Sequence, residues 1–125
     1  MNLLCKKIVI FKKLKINNVL LNNRVAVGPM CQYSAINGRA SSWHFSHLQK
    51  LSQLGAGMLI LESTFPSQNA TISKNDLILS NSSEKKSFTD LIKYIRKFSD
   101  IPLGIQICHA GKKGSSHIPW KKFNS

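Results

Sequence analysis

Acidic residues are scarce in this 125-residue chain: five Asp and Glu stand against 18 Lys and Arg, for a formal net charge of +13. An imbalance of that size brings an anionic partner into consideration. The lysines fall in scattered pairs, Lys6-Lys7, Lys12-Lys13, Lys85-Lys86, Lys112-Lys113 and Lys121-Lys122, and form no long basic block. A solvated, Lys-rich surface is therefore the ordinary reading. Cysteine is also sparse. Cys5, Cys31 and Cys108 are an odd set with no C-x-x-C spacing, which argues against a disulfide framework or a structural zinc site and favours a reducing compartment. No apolar run approaches the ~20 residues that span a bilayer. The block Ile8-Val9-Ile10-Phe11 behind Lys6-Lys7 is short and lacks a convincing small-residue cleavage site. A cytoplasmic protein without a membrane partner is expected. The length suits one domain, burying about 65% of its unfolded surface.

What is present is an alternation of apolar runs and polar loops. Phe11 to Leu21 reads as a hairpin turning at Asn17-Asn18. Arg24 to Val27 reads as a short strand buried on both faces, stopped by Gly28-Pro29. A polar cluster, Cys31, Gln32, Tyr33 and Ser34, is thus delivered at a strand's carboxyl end, where parallel α/β folds bind ligands. Asn37-Gly38 signals a turn, and Ser41 or Ser42 can cap a helix starting near Trp43. Phe45, Leu48, Leu51 or Ser52, and Gly55 mark its buried spacing, with Gly55-Ala56-Gly57 as its end. Met58 to Leu61 is a second apolar strand that ends in Glu62-Ser63-Thr64.

Phe65 to Ser83 is a long polar connection, with Asp76 to Leu79 as a brief ordered piece. A second helix follows. Phe88, Leu91, Ile92, Ile95 and Phe98 repeat at helical spacing, Lys85, Lys86, Asp90, Lys93, Arg96 and Lys97 occupy the other face, and Glu84 suits the amino-terminal dipole. Leu103 to Cys108 is a third strand, followed by the Gly-rich loop His109-Ala110-Gly111-Lys112-Lys113-Gly114. The order hairpin, β, α, β, α, β opens a parallel α/β sheet with right-handed crossovers.

Several residues carry chemistry in more than one way. Cys31 alone is ordinarily an inert buried side chain, and Tyr33 alone could cover a rim. Gln106 is more informative, because an amide inside an apolar strand implies a polar target. Glu62 is either a general base or a salt-bridge partner of Arg24. His44 and His47 share a helix face, but no third ligand has suitable spacing, so they read as packing or capping groups and no metal is expected.

The segment Pro29-Met30-Cys31-Gln32-Tyr33-Ser34 resembles, nearly letter for letter, the motif after the first barrel strand of the Old Yellow Enzyme family, in its bacterial, thermophilic-type FMN ene-reductase branch. The resemblance runs from about Phe11 to Trp120 and includes His109-Ala110-Gly111 and Pro119-Trp120. Lys112 stands where the family has Arg, losing the planar fork that pairs two oxygens, and an arginine is also missing before Pro119. The resemblance implies an α/β fold: the first three βα units of a TIM (β/α)8 barrel, preceded by a β-hairpin. It also implies FMN as cofactor, NADPH or NADH as reductant, and an α,β-unsaturated small molecule as substrate. Pro29, Met30 and Cys31 would line the flavin ring, with Cys31 tuning its potential. Ser63 would touch the ring, Gln106 would bond its pyrimidine end, and Tyr33 would face substrate.

A complete barrel takes roughly 250 residues, so the expectation is an incomplete one. Residues 1–125 would form a single partial domain, with 11–21 as bottom hairpin, 24–108 as three strands with two helices, and 109–125 as loop or tail. The family's substrate-holding pair, its proton-donating Tyr and its phosphate site belong to later strands. Each apolar side chain left uncovered forfeits on the order of 1.5 to 3 kcal/mol. The chain alone is therefore expected to fold poorly, to self-associate, or to need the remainder of the barrel. The rivals are a small basic module that binds nucleic acid or another polyanion, and a remnant without a ligand. Against the first stand three buried strands and few aromatics interleaved with the lysines.

Overall fold

The computed structural model describes residues 8–120. Cys5, Lys6-Lys7 and Lys121-Lys122, with the last five residues of the expected tail, lie outside the described residues. Strand β1 (Leu14–Ile16) pairs antiparallel with β2 (Val19–Leu21), and Asn17 takes the left-handed φ of 51° that the tight turn requires. Then come β3 (Ala26–Val27), α1 (Ser42–Ser52), β4 (Met58–Phe65), β5 (Leu77–Ile78), α2 (Ser82–Ile95) and β6 (Leu103–Ile107).

Strand β4 is the axis of the second sheet. It lies parallel to β3 through Ala26↔Met58 and Val27↔Leu59, to β6 from Leu59↔Leu103 to Thr64↔Ile107, and to β5 through Thr64↔Leu77. The register with β6 shifts between Leu61 and Ser63, so Glu62 is an extra residue on the β4 side. The parallel α/β order is the expected one, and among the described residues it does not close into a barrel.

Both helices cover one face of this sheet. Leu48 of α1, Leu59 and Leu61 of β4, Leu77, and Phe88, Leu91 and Ile95 of α2 form one buried cluster. Helix α1 starts at a capping box in which Ser41 accepts from the backbone of His44 while the His44 side chain accepts from the Ser41 N–H. Helix α2 starts at a second one, with Asn81 Oδ1 accepting from the N–H groups of Ser83 and Glu84, and Glu84 Oε2 accepting from the Asn81 N–H.

Several sequence expectations need correction. The first strand is two residues long and is not buried on both faces: Val25 is 38% exposed and Ala26 is exposed, because β3 pairs with β4 alone among the described residues. Helix α1 stops at Ser52, before Gly55, although Gly55 does take a left-handed φ of 79°. In the stripe foreseen for α2, Ile92 and Phe98 are exposed, and Phe98 lies beyond the helix end. Strand β6 ends at Ile107. Ile105 shares the register of Leu61, yet it and Ile107 are 38% and 64% exposed. No helix among the described residues is long and apolar enough to cross a membrane.

Candidate functional site

Strands β3, β4 and β6 are parallel, so the loop leaving β3 runs on along β4 toward the carboxyl ends of β4 and β6, where polar residues gather. Ser63 Oγ donates to Gln106 Oε1 at 2.6 Å, bridging β4 and β6. With its carbonyl oxygen engaged, Gln106 presents the Nε2 donor at an exposed strand end. The exposed Met30 and the half-buried Pro29, Cys31 and Tyr33 occupy the loop leaving β3.

That loop is fastened to β4. The Gln32 N–H donates to Glu62 Oε2 at 2.7 Å, the Gln32 side-chain Nε2 donates to the Met30 carbonyl at 2.8 Å, and Trp43 Nε1 donates to Gln32 Oε1 at 3.0 Å. Glu62 is therefore not the partner of Arg24. Its Oε1 lies 3.0 Å from Nε2 of His44, and both side chains are almost fully buried. With both oxygens engaged and water excluded, Glu62 is poorly placed to act as a general base. His44 is a capping and buried pairing residue, whereas the His47 ring stacks on Trp43 at 5.7 Å. Burial lowers the pKa of His47, and the nearby Glu62 opposes that shift. Among the described residues no group of three or more His, Cys, Asp or Glu could hold a metal ion.

Tyr33 is held in an unusual way. Its φ of 48° lies in the left-handed region that a bulky residue rarely enters. Its ring meets Trp120 edge-on at 5.8 Å, and burial pushes its phenol above 10.0, with Cys31, Asp76 and Glu62 adding to the shift. Asp76 was not foreseen as an organising residue. It is buried, and its Oδ2 accepts from the N–H groups of Ile72 and Ser73 at 2.8 Å each, folding the β4–β5 connection into a fixed turn. An acid in a chain with only five, set between Ser73 and Leu77, was the available signal.

Pro29, Met30, Cys31 and Tyr33 thus lie on one loop, Ser63 and Gln106 are bonded to each other, and the two groups are joined through Gln32 and Glu62. A flat heterocycle needs such an arrangement, an apolar edge with a few directed donors, and the exposed Met30 on the loop after β3 and the donor left on Gln106 of β6 are groups of those kinds.

The fold and this strand-end cluster define a parallel α/β protein of the kind that binds ligands at the carboxyl ends of its strands. Residues 9–120 match the family model of the NADH:flavin oxidoreductase / NADH oxidase family, and the chain belongs to that family. It is 32% identical over 116 residues to an NADH:flavin oxidoreductase of Gibberella zeae, covering 93% of this chain and 28% of that protein. It is 35% identical over 106 residues to an NADPH dehydrogenase of Listeria monocytogenes, covering 83% and 31%. The fold superposes on the Old Yellow Enzyme from a Pichia species with a TM-score of 0.76 at 18% identity, covering 86% of this chain and 28% of that one. The chain therefore spans under a third of the length of these relatives. Members of the family use FMN, with NAD(P)H as reductant.

Proposed function

We propose that this chain forms the amino-terminal part of an FMN-dependent NAD(P)H oxidoreductase of the ene-reductase type. In this reading Pro29, Met30 and Cys31 line the flavin ring, with Cys31 in contact with it so as to adjust its potential. Ser63 touches the ring, Gln106 donates Nε2–H to its pyrimidine end, and Tyr33 faces a small α,β-unsaturated substrate. FMN, when bound, supplies hydride transfer from NAD(P)H to an activated C=C bond. The chain's own residues bind and orient: the Ser63 hydroxyl locks the Gln106 amide so that its donor points outward, and the Gln32 ties keep the Cys31 loop still.

The observation that carries this reading is the 2.6 Å bond from Ser63 to Gln106, which engages the amide oxygen and leaves the Nε2 donor at the exposed end of β6. Because the matched region covers only 28% and 31% of these relatives, the complete reaction is proposed for this chain joined by the remainder of a family barrel as partner. The test is to purify the chain alone, and mixed with the missing strands of a family member supplied as a separate polypeptide, and to record flavin absorbance with and without NADPH. A yellow complex bleached by NADPH is expected from the mixture, and Gln106→Ala should weaken FMN uptake. Colourless protein in both preparations with added FMN would overturn the proposal.

A further inference from the structure

We propose that Glu62, backed by His44, is a positioning residue that sets where Cys31 stands. The inference rests on the flavin reading above for its purpose, but its geometry is independent of it. Glu62 is only 4% exposed, and a carboxylate at that depth must be paired. One oxygen takes the Gln32 N–H, and the other faces His44 Nε2. His44 is fully buried, and its Nδ1 accepts from the Ser41 N–H at 3.1 Å. An acceptor at Nδ1 leaves the ring proton on Nε2, which lies 3.0 Å from Glu62 Oε1 but off the hydrogen-bonding direction, and Nε2 has no other partner among the described residues, so Glu62 is the acceptor within its reach.

A continuous chain of polar contacts thus runs from the first turn of α1, through His44 and Glu62, to the peptide that joins Cys31 to Gln32. The residue on the other side of Cys31 is tied as well, since the Met30 carbonyl accepts from Gln32 Nε2. The register shift in β4 explains how Glu62 comes to be available. As the extra residue it reaches back to α1 and the Cys31 loop, while Ser63 continues in register and reaches Gln106.

The experiment uses the full chain carrying Cys5→Ser and Cys108→Ser, so that only Cys31 reacts with iodoacetamide. Amide exchange is read at Gln32, with Leu91 in α2 as the reporter of global folding. In Glu62→Ala, Gln32 exchange should rise about tenfold or more, as expected for the loss of a hydrogen bond to a charged group, and the Cys31 alkylation rate should change severalfold while Leu91 stays protected. His44→Ala should do the same. His44→Gln, which keeps a donor toward Glu62 and an acceptor toward Ser41, should restore most of the protection.

Unchanged Gln32 exchange and Cys31 alkylation in a folded Glu62→Ala chain would overturn the proposal. If that variant loses Leu91 protection too, the unsubstituted chain decides: a Gln32 amide exchanging at the rate of an unstructured peptide overturns the proposal, and a slow one supports it. FMN uptake separates the two readings. A protected Gln32 in protein that never binds FMN removes the flavin role and leaves the positioning intact, whereas FMN uptake with an unprotected Gln32 does the reverse.

Discussion

Ala35 and Asn75 bond to each other in both directions: the Ala35 N–H donates to the Asn75 carbonyl at 2.9 Å, and Asn75 Nδ2 donates to the Ala35 carbonyl at 3.3 Å. The pair joins the segment that follows Tyr33 to the long β4–β5 connection, 40 residues away. Asn75→Ala removes the side-chain bond and leaves the backbone one. A loss of about 1 kcal/mol is expected from the urea midpoint, with faster exchange confined to residues near Ala35 and Asn75.

Asp76 gives a pH signature. Burial raises its pKa above 3.8, against the pull of the Ser73 and Ile72 N–H groups. A carboxyl whose pKa is higher folded than unfolded binds more protons when folded, so its contribution is fully present below its unfolded value and is lost as pH rises through the raised one. Asp76→Asn keeps an acceptor for the two N–H groups and carries no charge. The stability of the unsubstituted chain relative to Asp76→Asn should therefore fall as pH rises from below 3.8 through the raised value, measured by denaturant midpoints across that range. A constant difference would contradict it. Asp76→Ala, which strands the buried Ser73 donor and the half-buried Ile72 donor, should cost about 2 to 4 kcal/mol at neutral pH.

Gly57 is the position least able to accept a side chain. A Cβ there would lie 2.2 Å from the Asn23 carbonyl oxygen, a backbone atom. The surroundings are also tightly bonded, with the Gly57 N–H donating to the Val25 carbonyl and Asn23 Nδ2 donating to the Gly55 carbonyl, both at 2.8 Å. Gly57→Ala should therefore push β3 away from β4 and cost about 3 kcal/mol. Thermal denaturation of the variant beside Gly55→Ala, where nothing lies within 4 Å of the added carbon but the left-handed φ is strained, separates crowding from torsion.

Tyr33 should titrate late. Its phenolate absorbance, isolated as the difference between the unsubstituted chain and Tyr33→Phe, should develop above pH 10.0. Cys31→Ala should move the transition down without abolishing the shift, because burial is its first cause. A transition that ignores Cys31 would mean that the two side chains do not sit together.

The parts of this molecule that repeat locally were legible in its sequence. The α2 stripe named Phe88, Leu91 and Ile95, all of which are buried, and Asp76 to Leu79 was marked as an ordered piece where β5 forms. Periodicity could not show how far the covering layer extends, so the α2 stripe included Ile92, which is exposed. At the site, the motif from Pro29 to Ser34 was visible because it is contiguous. The Glu62 pairing was not, since a one-residue shift of register between distant strands leaves no local trace, and the sequence offered Arg24 as its partner where the structure has His44.

The backbone torsion at Tyr33 has a practical corollary for anyone altering that position. Asn and Gly enter that conformation with little penalty, whereas Ala does not. An alanine scan would confound the absence of the ring with a kinked main chain, so Tyr33→Asn is the cleaner way to ask what the aromatic itself contributes.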